Sequence, residues 1–84
     1  MKNKILVELI VPEVEESYNV FLPINRKIGN VIILLSKAVS ELTGGVYTVS
    51  NKTNLYDVST GNAYNMDATV LDTNIRNGSK IVLF

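Results

Sequence analysis

From Lys4 to Val11 apolar residues run almost without a break, and a period of two separates Ile5, Val7, Leu9 and Val11 from Leu6, Glu8 and Ile10. β-Branched side chains pack well on a pleated surface, so this segment predicts a strand with one face on a core. Pro12 cannot donate to a ladder and ends it. The segment to Ser17, with Glu13, Glu15 and Glu16, reads as a solvated turn. Alternation then resumes, with Tyr18, Val20 and Leu22 on one side. The two strands predict a hairpin.

After Pro23 the period lengthens from two to 3.6, and Ile28, Val31, Ile32, Leu35, Val39 and Leu42 form one stripe of a helix. Gly44 and Gly45 supply the positive φ that commonly ends a helix, which places its end near Thr43. Asn25 is the expected N-cap, although Arg26 and Lys27 sit at the positive end of the helix dipole. Val46 to Val49 reads as a strand, Ser50 to Asn54 as a polar loop, and Leu55 to Val58 as a short strand. Thr60-Gly61-Asn62 and Asn77-Gly78 predict turns, Asp67 to Ile75 is irregular, and Lys80 to Phe84 is the last strand. This order predicts an α+β roll over residues 1–84 as one domain, a mixed four- to five-stranded sheet packed on one helix. A helical crossover between parallel neighbours would be right-handed.

The 84 residues suffice for one hydrophobic core, and 46% hydrophobic with 19% charged residues suits a packed globule. Eight basic residues balance eight acidic ones, so no net field draws the chain to a phosphate backbone, and no nucleic-acid partner is expected. The sequence contains neither cysteine nor histidine, which removes thiolate nucleophiles, disulfides and zinc sites built on sulfur or imidazole. No cofactor is expected. Val31 to Leu35 is far shorter than the ~20 residues a bilayer span needs, so direct membrane insertion is not expected either. Glu8 interrupts the apolar stretch after Lys2 and Lys4, and no small-residue cleavage site follows, so the chain reads as cytoplasmic.

Candidate chemistry is sparse. Asp57, Asp67 and Asp72 lack the spacing of a calcium loop and are better explained by turns. Thr60-Gly61-Asn62 opens no helix, which a phosphate cradle would need. The hydroxyl side chains have no histidine to activate them, so the chain is not expected to be an enzyme.

Pro23, then Ile28-x-Asn30-Val31, resembles the ubiquitin segment between hairpin and helix, with one residue inserted here. Thr69-Val70-Leu71-Asp72-x-Asn74-Ile75 and Ile81-x-Leu83 resemble ubiquitin's last loop and final strand. Tyr18-Asn19-Val20-Phe21-Leu22-Pro23 and Ile28-Gly29-Asn30-Val31-Ile32 look like the YukD/EsaB-type ubiquitin-like proteins of bacterial type VII secretion. The resemblance covers almost the whole chain and lies in the order of short motifs. It implies a ubiquitin-like β-grasp fold and a non-enzymatic protein-binding module, an accessory of type VII secretion with secretion components as partners. Ubiquitin-type modifiers and β-grasp sulfur carriers act through a tail ending in Gly-Gly. Here the sequence ends in the apolar strand at Phe84, and its one Gly-Gly pair follows the helix. A modifier or sulfur carrier would therefore need processing; a docking domain of a larger membrane protein is the other alternative.

If Ile5, Val7, Leu9, Val20, Leu22, Ile81 and Leu83 face the helix, then Leu6, Ile10, Phe21, Val82 and Phe84 face away from it. These five form the expected protein-binding surface, and by resemblance Phe84 falls where ubiquitin's recognition surface lies. Single apolar residues are ordinary on surfaces, so contiguity decides whether the five matter. Ile33, opposite the core stripe with Leu34 at its margin, is an expected second contact site or weak homodimer face.

Overall fold

A computed structural model describes residues 3–84. Strand β1 (Lys4–Val11) and strand β2 (Glu16–Pro23) pair antiparallel in an unbroken register from Lys4 opposite Pro23 to Val11 opposite Glu16. The turn between them is a short 3-10 segment, Pro12–Val14, closed by Glu15 at φ 54° with its N–H donated to Pro12 O at 3.0 Å. Helix α1 (Ile28–Leu42) follows, then β3 (Leu55–Asp57) and β4 (Lys80–Leu83). The sheet order is β2-β1-β4-β3, with β4 parallel to β1 and antiparallel to β3. This is the mixed sheet on one helix that the pattern predicts, with four strands.

The phase of each strand decides what it buries. Val7, Leu9, Val11, Leu22, Leu55, Ile81 and Leu83 are buried, and Ile28, Val31, Ile32, Leu35 and Val39 meet them from the helix. Ile5 and Val20, expected on this face, are half-buried against the same core. Val70 and Ile75 close it from the long connection before β4.

The helix begins differently from expectation. Its N-cap is Lys27, which makes no side-chain cap bond. Carbonyls from a distant segment take the role expected of Asn25: Ile28 N–H donates to Ala68 O at 2.8 Å and Gly29 N–H to Met66 O at 3.0 Å. A Cβ on Gly29 would lie 3.4 Å from that Met66 oxygen, so the docked segment leaves little room there. The helix end is as expected. Gly45 N–H reaches Ser40 O at 2.8 Å and Gly44 N–H reaches Glu41 O at 3.2 Å, a Schellman pair with Gly44 at φ 62° and Gly45 at φ 88°.

Three further expectations need correction. Val46 to Val49 forms no strand, because the N–H groups of Val46, Tyr47 and Thr48 donate to Thr43 O, Thr43 Oγ1 and Glu13 Oε2, at 3.3, 3.0 and 3.3 Å, and not to a neighbouring strand; only Tyr47 is buried, while Val46 and Val49 are exposed. Leu42 lies on the core stripe by angle but in the last turn, and it is exposed. Strand β3 stops at Asp57, one residue short of the expected Val58. Phe84 follows the last residue of β4, yet its N–H and C=O both bond Asn54, at 3.0 and 2.9 Å, and continue the ladder by one pair.

Ser36 is 1% exposed on the helix's core side, and its hydroxyl has no hydrogen-bond partner. Ser36→Ala should raise the unfolding free energy by about 1 kcal/mol, since it removes a desolvated hydroxyl and installs the best helix former. Urea denaturation checks this by a higher midpoint at unchanged slope.

Candidate protein-binding surface

The face of the sheet turned away from α1 carries the residues of the opposite phase. Ser17, Ile10, Val82 and Tyr56 stand in register across all four strands as one row. The next row is polar, with Asn19 opposite Glu8 and Glu8 opposite Lys80. Beyond it Phe21 stands opposite Leu6. The five residues expected on this face all lie on it, but the register parts them into two clusters.

The larger cluster lines a shallow depression. Ile10, Tyr56, Val58, Val82 and Phe84, with Asp57 and Gly61, line an open groove of about 340 Å³. Phe84 is 69% exposed and Val58 46%, while Ile10, Tyr56 and Val82 are half-buried. The smaller cluster is a flat pair, Phe21 at 53% and Leu6 at 41% exposure. Tyr56 and Val58 were not among the expected residues. Their signal was available, since Tyr56 alternates with Leu55 and Asp57 within a recognised strand.

Ile33 is exposed, as is its neighbour Leu34, but α1 covers the inner face of the sheet. Ile33 therefore lies on the far side of the molecule from the other five and joins neither cluster.

Asp57, Asp67 and Asp72 are held by local hydrogen bonds. Asp57 accepts from Asn74 Nδ2 at 2.8 Å and from both the N–H and the hydroxyl of Ser59, at 3.0 and 2.8 Å. These bonds, the Asn74 side chain first, hold its carboxyl below the usual aspartate range. Asn74 Oδ1 in turn accepts from the Tyr64 hydroxyl at 2.9 Å. Burial, and then the charge of Asp57, push the Tyr64 phenol up to about 12, which keeps it protonated. Asp72 accepts from Thr69 Oγ1 at 3.0 Å, and Asp67 donates its N–H to Asn65 Oδ1 at 2.9 Å. Among the described residues no three His, Cys, Asp or Glu side chains gather as a metal site would require. No helix among them is long and apolar enough to cross a membrane.

One helix gripped by a mixed sheet of order β2-β1-β4-β3 is the ubiquitin-like β-grasp fold. Solved structures bear this out. The ubiquitin-like domain of the Mycobacterium tuberculosis type VII secretion system protein EccD1 is similar over 95% of this chain and 96% of its own, at 15% identity and a TM-score of 0.75. A chain of the MycP5-free ESX-5 inner membrane complex is similar over 98% of this chain at 14% identity and a TM-score of 0.80. The present chain spans only 21% of that one. A chain of the toluene 4-monooxygenase HD complex shares the fold too, at 10% identity and a TM-score of 0.74, so the fold alone leaves function open. No family model matches the sequence, and no curated protein does.

Proposed function

We propose that this chain is a non-enzymatic ubiquitin-like module that binds a protein partner through the outer face of its sheet, as an accessory component of bacterial type VII secretion in the cytoplasm. The observation that carries this reading is the groove of Ile10, Tyr56, Val58, Val82 and Phe84, an apolar concavity that the fold does not need for its core. Each such side chain contributes ~1.5–3 kcal/mol when fully covered, so a few suffice to anchor a modest interface. Likeness to the EccD1 domain supports the choice of secretion over other roles of the fold. Affinity capture of the tagged chain from its native host should enrich a component of the secretion machine, and deleting its gene should impair export. Intact export in the deletion strain, with no secretion component enriched, overturns the reading.

The ESX-5 chain favours a second reading, because the similar region there is a fifth of a longer polypeptide. On that reading the module docks partners from within a larger membrane protein. Continuation of the reading frame past Phe84 into apolar spans would select it.

A further inference from the structure

The sheet has two edges, and the chain treats them differently. Along β3, residues 62–64 fold back as a covering arm: Asp57 N–H donates to Asn62 O and Tyr64 N–H to Leu55 O, both at 2.9 Å. Nothing among the described residues covers β2 in this way.

The hydrogen bonds of β1 fix which groups of β2 are free. Glu8 N–H donates to Ser79 O and Leu6 O accepts from Gly78 N, so the even residues of β1 point toward β4. The odd residues then bond β2, through Glu16, Tyr18, Val20 and Leu22; Ile24 N–H to Asn3 O at 3.0 Å continues that phase. Ser17, Asn19 and Phe21 are left with both backbone groups directed outward. Edge strands are usually blunted by a bulge, a charge or a proline. Here the register is unbroken, these three residues are uncharged, and Pro23 stands only at the end.

We propose that β2 is the seam of a symmetric homodimer, in which two copies pair this strand antiparallel about a two-fold axis at Asn19. Asn19 then exchanges both backbone bonds with Asn19 of the second copy, and Ser17 does so with Phe21. On the core side Tyr18 meets Val20, and both are half-buried side chains with surface still to cover. Charge selects a second copy over a foreign strand. Glu13, Glu15 and Glu16 mark the entry to β2, while Arg26 and Lys27 follow its exit and Lys4 stands opposite Pro23. Antiparallel pairing sets each acidic end beside the other copy's basic end, twice per dimer. This seam runs along the sheet's edge, apart from the groove on its face, and so goes beyond the docking role.

Sedimentation velocity across concentrations up to about 1 mM tests it, in the range expected for an interface smaller than the ~1,200 Å² of stable complexes. The chain should dimerise with rising concentration, less so at high salt. A Glu15→Lys, Glu16→Lys variant and an Arg26→Glu, Lys27→Glu variant should each self-associate at least about tenfold more weakly, yet form a dimer when mixed. Asn19→Pro should weaken association by at least about tenfold while keeping the native circular dichroism, because its N–H lies outside the β1 ladder. A chain that stays monomeric throughout overturns the proposal, even if some extended peptide binds the same edge. So does failure of the two charge variants to dimerise together.

Discussion

Leu9→Ala should lower the unfolding free energy by about 3 kcal/mol, the largest single effect expected in this chain. Leu9 is fully buried at the middle of β1, with Tyr18 opposite it on one side and Ile81 on the other. A central strand flanked by two others cannot collapse into the space left by the lost Cγ, Cδ1 and Cδ2, so the cavity adds to the lost transfer energy. Small domains hold only ~5–15 kcal/mol in total, so the urea midpoint should fall steeply at unchanged slope. Leu6→Ala is the internal control. Three residues away on the same strand, Leu6 is 41% exposed on the other face, and its truncation should cost about 1 kcal/mol or less. A larger loss from Leu6 than from Leu9 would mean that the faces of β1 are reversed.

That pair of substitutions tests the part of the fold most legible in the sequence. The alternation from Lys4 to Val11 could be read locally because β1 buries one face against the helix along its length. The period of the helix and its glycine end were equally local. What failed was non-local. The carbonyls that cap α1 come from Met66 and Ala68, and nothing near Asn25 announces them. Val46 to Val49 has strand composition, but composition does not reveal that its N–H groups go to Thr43 and Glu13. Leu42 shows the same limit from another side: its angle on the helix was right, and burial depends on what stands opposite the last turn. For the candidate surface, phase sufficed to place Leu6, Ile10, Phe21, Val82 and Phe84 on one face. Their grouping needed the register between strands distant in sequence, which alone shows the Asn19, Glu8 and Lys80 row between them.

The two clusters make the binding proposal sharper than a single patch would. With the captured secretion component as ligand, Phe84→Asp and Val58→Asp should each reduce affinity by about 10- to 100-fold, measured by calorimetric titration. A carboxylate forced into a covered apolar groove loses its hydration without gaining a partner, which adds to the loss of apolar contact. Both side chains are exposed in the free protein, so the variants should unfold within about 1 kcal/mol of the parent. Phe21→Asp should also weaken binding and leave the fold intact, but by less, because Phe21 and Leu6 offer a flat pair across the polar row from the groove. Ile33→Asp, on the far side of the helix, should leave this affinity unchanged. Equal losses at Phe21 and Phe84 would show that the partner spans the polar row and covers the whole face. No loss at Phe84 or Val58, in variants that remain folded, would remove the groove from the proposal.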